Sequence, residues 1–332
     1  MTWARDDGRA RRAAGRGHGA QASDADAPHK ITASGWRRIL RRVGVHVVSD
    51  RLMVQSAGVA FFAVLSIAPV LVTAISVYAA VNTPEQALRQ LSNVAGMLPA
   101  DLQRIVADQL TTITAASTQV LTWRGGIGLV VALWTATTAM TYLIDGLTLA
   151  YHETETRGLL RRSGLALVFV LSGALLLGAA IAVAGVVSRS VAGVAEPVRG
   201  LSPVLSWAAL AVLMAVVLAV LYRYAPDRKK ARWRWITGGS TVATLLWLAA
   251  SIALFAYVER LGNYEATYGS LAGVAISMFW LWMTVFLVIL GAAVNAETER
   301  QTTRDSTIGP EQPLGQRGAV VADSAPPYPG EE

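Results

Sequence analysis

The chain has no cysteine. That excludes disulfides, thiolate metal sites and cysteine nucleophiles. It has little charge: Asp, Glu, Lys and Arg make up 15% of its residues, against 53% hydrophobic, whereas soluble domains are about a quarter charged. Histidine is scarce too. The four, His18, His29, His46 and His152, are scattered along the chain, and no ligand spacing joins them to the sparse carboxylates. No Walker motif, HExxH or GxSxG occurs, so phosphate-loop, zincin and serine-hydrolase chemistry have no visible carrier. No catalytic residue, cofactor or metal is expected.

What the chain does have is apolar length. Six runs, Val54–Val81, Gly125–Ile144, Leu165–Val187, Val204–Tyr222, Trp235–Val258 and Leu271–Val294, contain no Asp, Glu, Lys, Arg or His. About 20 apolar residues in a helix cross a bilayer core. A single run could be a buried core helix of a soluble protein, but six in succession with polar linkers predict a polytopic, all-α membrane protein, a six-helix transmembrane bundle. No span has an ionisable residue in its middle, which argues against an ion-coupled pump. Residues 1–34 and 301–332 lack apolar periodicity. They are expected to be disordered tails flanking a transmembrane domain at 35–300. The start lacks the apolar stretch of a signal peptide.

Orientation follows from basic residues. With the N-terminus inside, 23 Lys and Arg fall inside and six outside. The positive-inside rule therefore predicts both termini in the cytoplasm. The formal charge of +7 is read the same way, not as a nucleic-acid signal. The loop "YRYAPDRKKARWRW" (222–235) fits a short cytoplasmic loop, with Tyr222, Tyr224, Trp233 and Trp235 at headgroup level. Membrane lipids are the expected partners, with anionic headgroups at residues 223–234. The oligomeric state is not predicted.

The loop at 82–124 is patterned. Thr83, Pro84 and Gln86 have the spacing of a helix start, and Leu102, Ile105, Val106, Leu110 and Ile113 share one helical face. This predicts a short extracytoplasmic amphipathic helical segment. Another outer stretch, "GNYEATYGS" (262–270), joins two uncharged spans. Tyr264, Glu265, Thr267 and Tyr268 form either a turn into the last helix or an outer contact for a headgroup.

Polar groups gather at the predicted cytoplasmic ends. Thr138, Thr141, Asp145 and Thr148 step by three, four and three, a stripe about 80° wide on a helix. Each Thr can instead bond its own preceding turn. Arg51, Gln55, Asp145, Asn295 and Glu297 share one expected depth. They form either a vestibule, with Arg51 paired to Asp145 or Glu297 and Asn295 filling further hydrogen bonds, or separate caps reaching water. In the third span Ala174, Gly178 and Ala182 repeat every four residues, a pattern that allows close helix approach.

The stretches "AGVAFFAVLSIAPVL" (57–71), "DGLTLAYHETETRG" (145–158), "YRYAPDRK" (222–229), "GNYEATYGSLAGV" (262–274) and "LGAAVNAETE" (290–299) resemble the YihY/BrkB family of bacterial membrane proteins. The resemblance implies six helices in the bacterial inner membrane and no settled activity. The family's older labels are ribonuclease BN, a misassignment, and virulence factor BrkB. Asp145, Asn295 and Glu297 match the family pattern. Thr148, Ala293 and Glu265 depart from it, standing where Asn, Glu and Asn are usual. The expected function is to move or organise a lipid-like envelope amphiphile without catalysis. A structural or partner-binding membrane scaffold is the alternative, and ribonuclease activity a third.

Overall fold

The computed structural model describes residues 25, 27–81, 118–191, 196–260 and 271–324. After a short 3-10 turn at Pro28–Lys30 come α1 (Ala33–Ser49), α2 (Leu52–Val81), α3 (Thr118–Ala150), α4 (Leu159–Val191), α5 (Glu196–Tyr224), α6 (Trp233–Arg260) and α7 (Leu271–Glu299). Helices α2 to α7 each contain a segment long and apolar enough to cross a membrane. Helix is the form that satisfies every backbone group without water. Hydroxyls inside the spans follow the same logic. Thr135, Thr244 and Thr298 each donate to a carbonyl one turn back. Pro69 lies inside α2 without ending it. Of the patterned loop expected at 82–124, residues 118–124 form the start of α3, while the rest of that loop, with its expected amphipathic helical segment, and the loop carrying Tyr264, Glu265, Thr267 and Tyr268 lie outside the described residues.

Helix α1 is not apolar enough to span. The Thr32 hydroxyl caps it, accepting from Gly35 N–H at 3.3 Å. Its buried residues Gly35, Ile39, Val43, His46 and Val47 recur at helical spacing, so one face packs on the bundle end. Ala25, Ala27 and Ile31 are also buried. The expected disordered tail thus gives way to packed chain before residue 35.

Helix α7 is central: it packs on α6, α2, α1 and α3, and α2 packs along α3. Close approach of α6 and α7 depends on glycine. A Cβ on Gly239 would collide with the Gly291 carbonyl, and one on Gly291 with the Tyr222 hydroxyl. The Tyr222 hydroxyl donates to the Val288 carbonyl at 2.7 Å. Among the described residues, helices α4 and α5, though consecutive, have few contacts with each other.

The second expected tail is also folded as far as residue 324. Thr307 bridges antiparallel to Ala231. Arg232 N–H donates to Ser306 O at 2.9 Å and Ile308 N–H to Lys230 O at 3.0 Å. Arg317 is buried and donates to the carbonyls of Thr303, Arg304, Gln312 and Ala322. A polar sequence reads as disordered because it lacks an apolar core. Here a guanidinium with five donors supplies the centre instead.

Candidate functional site

The polar ends of all six spanning helices meet at the end of the bundle that carries α1 and the 301–324 segment. Two glutamates at the close of α7 organise it. Glu297 and Glu299 are two residues apart, so their side chains leave the helix about 200° apart. Glu297, 1% exposed, faces α1. It accepts from Arg42 Nε at 2.7 Å, Arg300 Nη1 at 2.7 Å and His152 Nε2 at 2.9 Å. Glu299 faces the α5–α6 loop. It takes Arg228 in a two-pronged pair at 3.1 and 2.8 Å and the Ser306 hydroxyl at 2.8 Å. Arg228 also lies 4.8 Å from the centre of the Tyr151 ring. Both carboxylates are saturated with donors.

The α3–α4 connection is built in the same way. Arg162 donates to Asp145 at 3.1 Å. Thr156 donates to Asp227 through its hydroxyl and its N–H. Burial pushes the Asp227 carboxyl up, but the two Thr156 bonds and Arg157 outweigh it and hold it below its ordinary value. Glu153 is pushed up, chiefly by burial, although it accepts Val320 N–H at 2.7 Å.

Several expectations are corrected here. Arg51 is exposed and pairs with neither Asp145, which binds Arg162, nor Glu297, which binds Arg42 and Arg300. Arg51 instead adopts the left-handed region, φ 52°, at the break between α1 and α2. Asn295 does not join a vestibule. It is buried between α6 and α7, accepting from Gly239 N–H at 2.6 Å and donating to Ile236 O at 3.0 Å. Gln55 donates to the Tyr142 carbonyl at 3.2 Å, holding α2 to α3. Thr138 and Thr141 bond their own helix at Trp134 O and Thr137 O, while buried Thr148 accepts from Asp227 N–H at 3.4 Å. Of the four aromatics placed at headgroup level, Tyr222 and Trp235 are buried, and only Tyr224 and Trp233 are exposed. In the basic loop, Arg228 and Arg232 are spent on Glu299 and on the carbonyls of Thr307 and Gly309.

The histidines are not all scattered. His46 on α1 and His152 after α3 stack with ring centroids 4.1 Å apart and planes at 19°. Asp50 Oδ2 is 3.0 Å from His46 Nε2. Ligand atoms of His46, Asp50 and His152 all lie within 4.8 Å of one another, so these three residues could hold a metal ion. Burial lowers the His46 imidazole below its ordinary pKa, and His152 acts in the same direction. Sequence reasoning missed Arg42, His46, His152, Arg228, Glu299 and Arg300. The apolar spacing of Ile39, Val43 and Val47 was an available signal, because on a helix it puts His46 on the same face.

The sequence profile of the virulence factor BrkB family matches residues 44–315. A ribonuclease-like protein of Bacillus subtilis (strain 168), YfkH, is 28% identical over 254 residues, covering 73% of this chain and 88% of that protein. A UPF0761 membrane protein of Verminephrobacter eiseniae is 27% identical over 275 residues, covering 81% and 62%. Another, from Delftia acidovorans, is 27% identical over 286 residues, covering 81% and 66%. The chain thus spans about two thirds or less of these last two relatives. No solved structure matches.

Proposed function

The chain belongs to the virulence factor BrkB family, and from that premise we propose that it moves or organises a lipid-like amphiphile in the bacterial inner membrane, without covalent chemistry. One observation carries the reading. Residues 171–179 of α4 are all exposed among the described residues. Nine residues make two and a half helical turns, so no face of α4 is covered there. A helix packed in a bundle hides one face. Residues 205–210 of α5 are likewise exposed, and among the described residues α4 and α5 have few contacts with each other. The apolar space beside these helices suits acyl chains, while the other end of the bundle is closed by ion pairs.

The loop at 223–234 supplies a headgroup contact of the right sign. Arg223 stacks on Trp233 at 4.3 Å and Lys230 lies 4.6 Å over Tyr224. Both aromatics are exposed, as interfacial anchors are. The excess of basic residues on this side supports both termini in the cytoplasm.

Mass spectrometry of lipid retained by the purified chain tests the proposal. Retention of a defined amphiphile is expected, weakened by Leu175→Trp or Leu205→Trp, which fill the space. Lipid content equal to that of an unrelated six-helix protein in the same detergent would refute it. The scaffold reading has one observation in its favour. Ala174 is exposed and a Cβ at Gly178 would have no atom within 4 Å, so these two small positions are open to a second helix. No ribonuclease activity is proposed. Purified chain with Mg²⁺, Mn²⁺ or Zn²⁺ is expected to leave a tRNA precursor intact, and cleavage lost in Asp145→Ala would overturn that.

A further inference from the structure

We propose that His46, Asp50 and His152 form a binding site for one divalent transition-metal ion, which clasps α1 to the end of α3. Their ligand atoms, drawn from two segments about a hundred residues apart, all lie within 4.8 Å of one another. That convergence is the first argument.

The second is the state of His46. It is 4% exposed, yet neither ring nitrogen has a hydrogen-bond partner. The 3.0 Å approach to Asp50 Oδ2 falls outside hydrogen-bond geometry. Buried polar atoms are nearly always satisfied, and an exception calls for an explanation such as an ion.

The third is the backbone at His152. It lies in the left-handed region, φ 56°, just past α3. Glu153 N–H bonds Thr148 O at 3.0 Å and His152 N–H bonds Leu149 O at 2.8 Å. This pattern ends helices with glycine at the His152 position. A residue with a β-carbon carries a steric cost in that conformation, so the turn holds the His152 side chain at this position at some expense.

The fourth is the outer carboxylate. His152 Nε2 lies 2.9 Å from Glu297 Oε1 and 3.3 Å from Arg300 Nη1; in the tautomer that donates from Nε2 to the shorter, Glu297 contact, Nδ1 keeps its lone pair. Metal-bound histidines commonly hand their other N–H to a carboxylate in this way. Arg42 and Arg300 are held by Glu297, whereas Asp50 takes only the Ser49 hydroxyl beside His46. Among the described residues, no arginine is paired with the Asp50 carboxylate.

Two imidazoles and one carboxylate, with no thiolate in the chain, select ions such as Zn²⁺, Co²⁺ or Ni²⁺ over Mg²⁺ and Ca²⁺. The rings are stacked nearly parallel, so one turns about its Cβ–Cγ bond to aim both lone pairs at one ion.

The test uses the full chain in detergent, stripped with a chelator and titrated with ZnCl₂. Bound metal is counted after desalting, and thermal unfolding is followed with and without Zn²⁺. One Zn²⁺ per chain and a rise in unfolding temperature are expected. His46→Gln and His152→Gly should lose both. Glycine suits the His152 backbone, so that loss would not come from a broken turn. Glu297→Gln should weaken binding about 10–100-fold, as outer-carboxylate removal does. His29→Gln, at an exposed imidazole, should bind as the parent does. No stoichiometric Zn²⁺ on the parent chain, or binding unchanged in His46→Gln and His152→Gly, would overturn the proposal.

Discussion

Replacing Gly239 by alanine tests how the bundle is closed. The added Cβ would lie 2.5 Å from Asn295 Cγ and 2.6 Å from its Oδ1, and in collision with the Gly291 carbonyl. Backbone cannot step aside like a side-chain tip, so α6 and α7 must part. Overpacking of this sort costs about 1–3 kcal/mol. Parting also breaks the bond from Gly239 N–H to Asn295, 2.6 Å and buried, and an unsatisfied buried group costs about 1–3 kcal/mol more. Alanine's better helix propensity returns about 1 kcal/mol. The net is a destabilisation of about 3 kcal/mol, or roughly 5–10 °C in midpoint temperature. Gly178→Ala is the matched control. It makes the same chemical change on α4, with no atom within 4 Å of its Cβ, and should be neutral or slightly stabilising. The assay is thermal unfolding of both variants in one detergent. Equal midpoints for Gly239→Ala and Gly178→Ala would refute the argument.

Glu299→Ala strands Arg228, whose side chain is 2% exposed, and should cost about 3–5 kcal/mol. Arg228→Met combined with Glu299→Gln should lose clearly less, as judged by the same unfolding curves. Acid should release the 301–324 segment. Burial pushes the Asp305 carboxyl up, but N–H donors from Thr307 and Gln312, the Thr307 hydroxyl and Arg317 more than offset it and hold it below its ordinary value. A carboxylate lowered by folding stabilises above its unfolded pKa of about 3.9 and loses that contribution as pH falls through the folded value. Glu153, raised by burial, has the opposite linkage, gaining as pH falls through its raised folded value. Hydrogen-exchange protection at residues 305–323, the rate relative to an unfolded peptide at the same pH, should therefore hold down to about pH 4 and fall below it, with Asp305→Asn lowering protection at neutral pH. Loss of protection already between pH 7 and pH 5 would count against this. Topology can be read with single cysteines, since the chain has none. Ser92→Cys and Asn263→Cys should react with an impermeant reagent in intact cells, and Lys230→Cys should not. Lys230 is exposed, whereas Ala231 is buried against Thr307 and would be silent on either side.

The six spans were legible because a bilayer reads length and charge locally, and "LGAAVNAETE" was specific enough to mark the family. Asn295 and Glu297 also stand out in the sequence as polar groups at the end of an apolar run. Their partners do not. Glu297 binds Arg42, 255 residues away, and nothing near either residue announces the other. Arg51 looked the better partner because it lies closer to the span. The left-handed break at residues 50–52 turns α1 back along α7, bringing Arg42 to Glu297 while Arg51 stays exposed. The 301–324 segment was misread for the same reason. Its order comes from Arg317, Asp305 and a bridge to Ala231 rather than from apolar periodicity. By itself the sequence determined the membrane class, the number of spans and the family, since each depends on residues adjacent in the chain. Only the tertiary structure decided which charges pair, that His46 and His152 meet, and that residues 171–179 of α4 are left uncovered. Those outcomes depend on packing between segments far apart in sequence, where a single glycine sets how closely two helices approach.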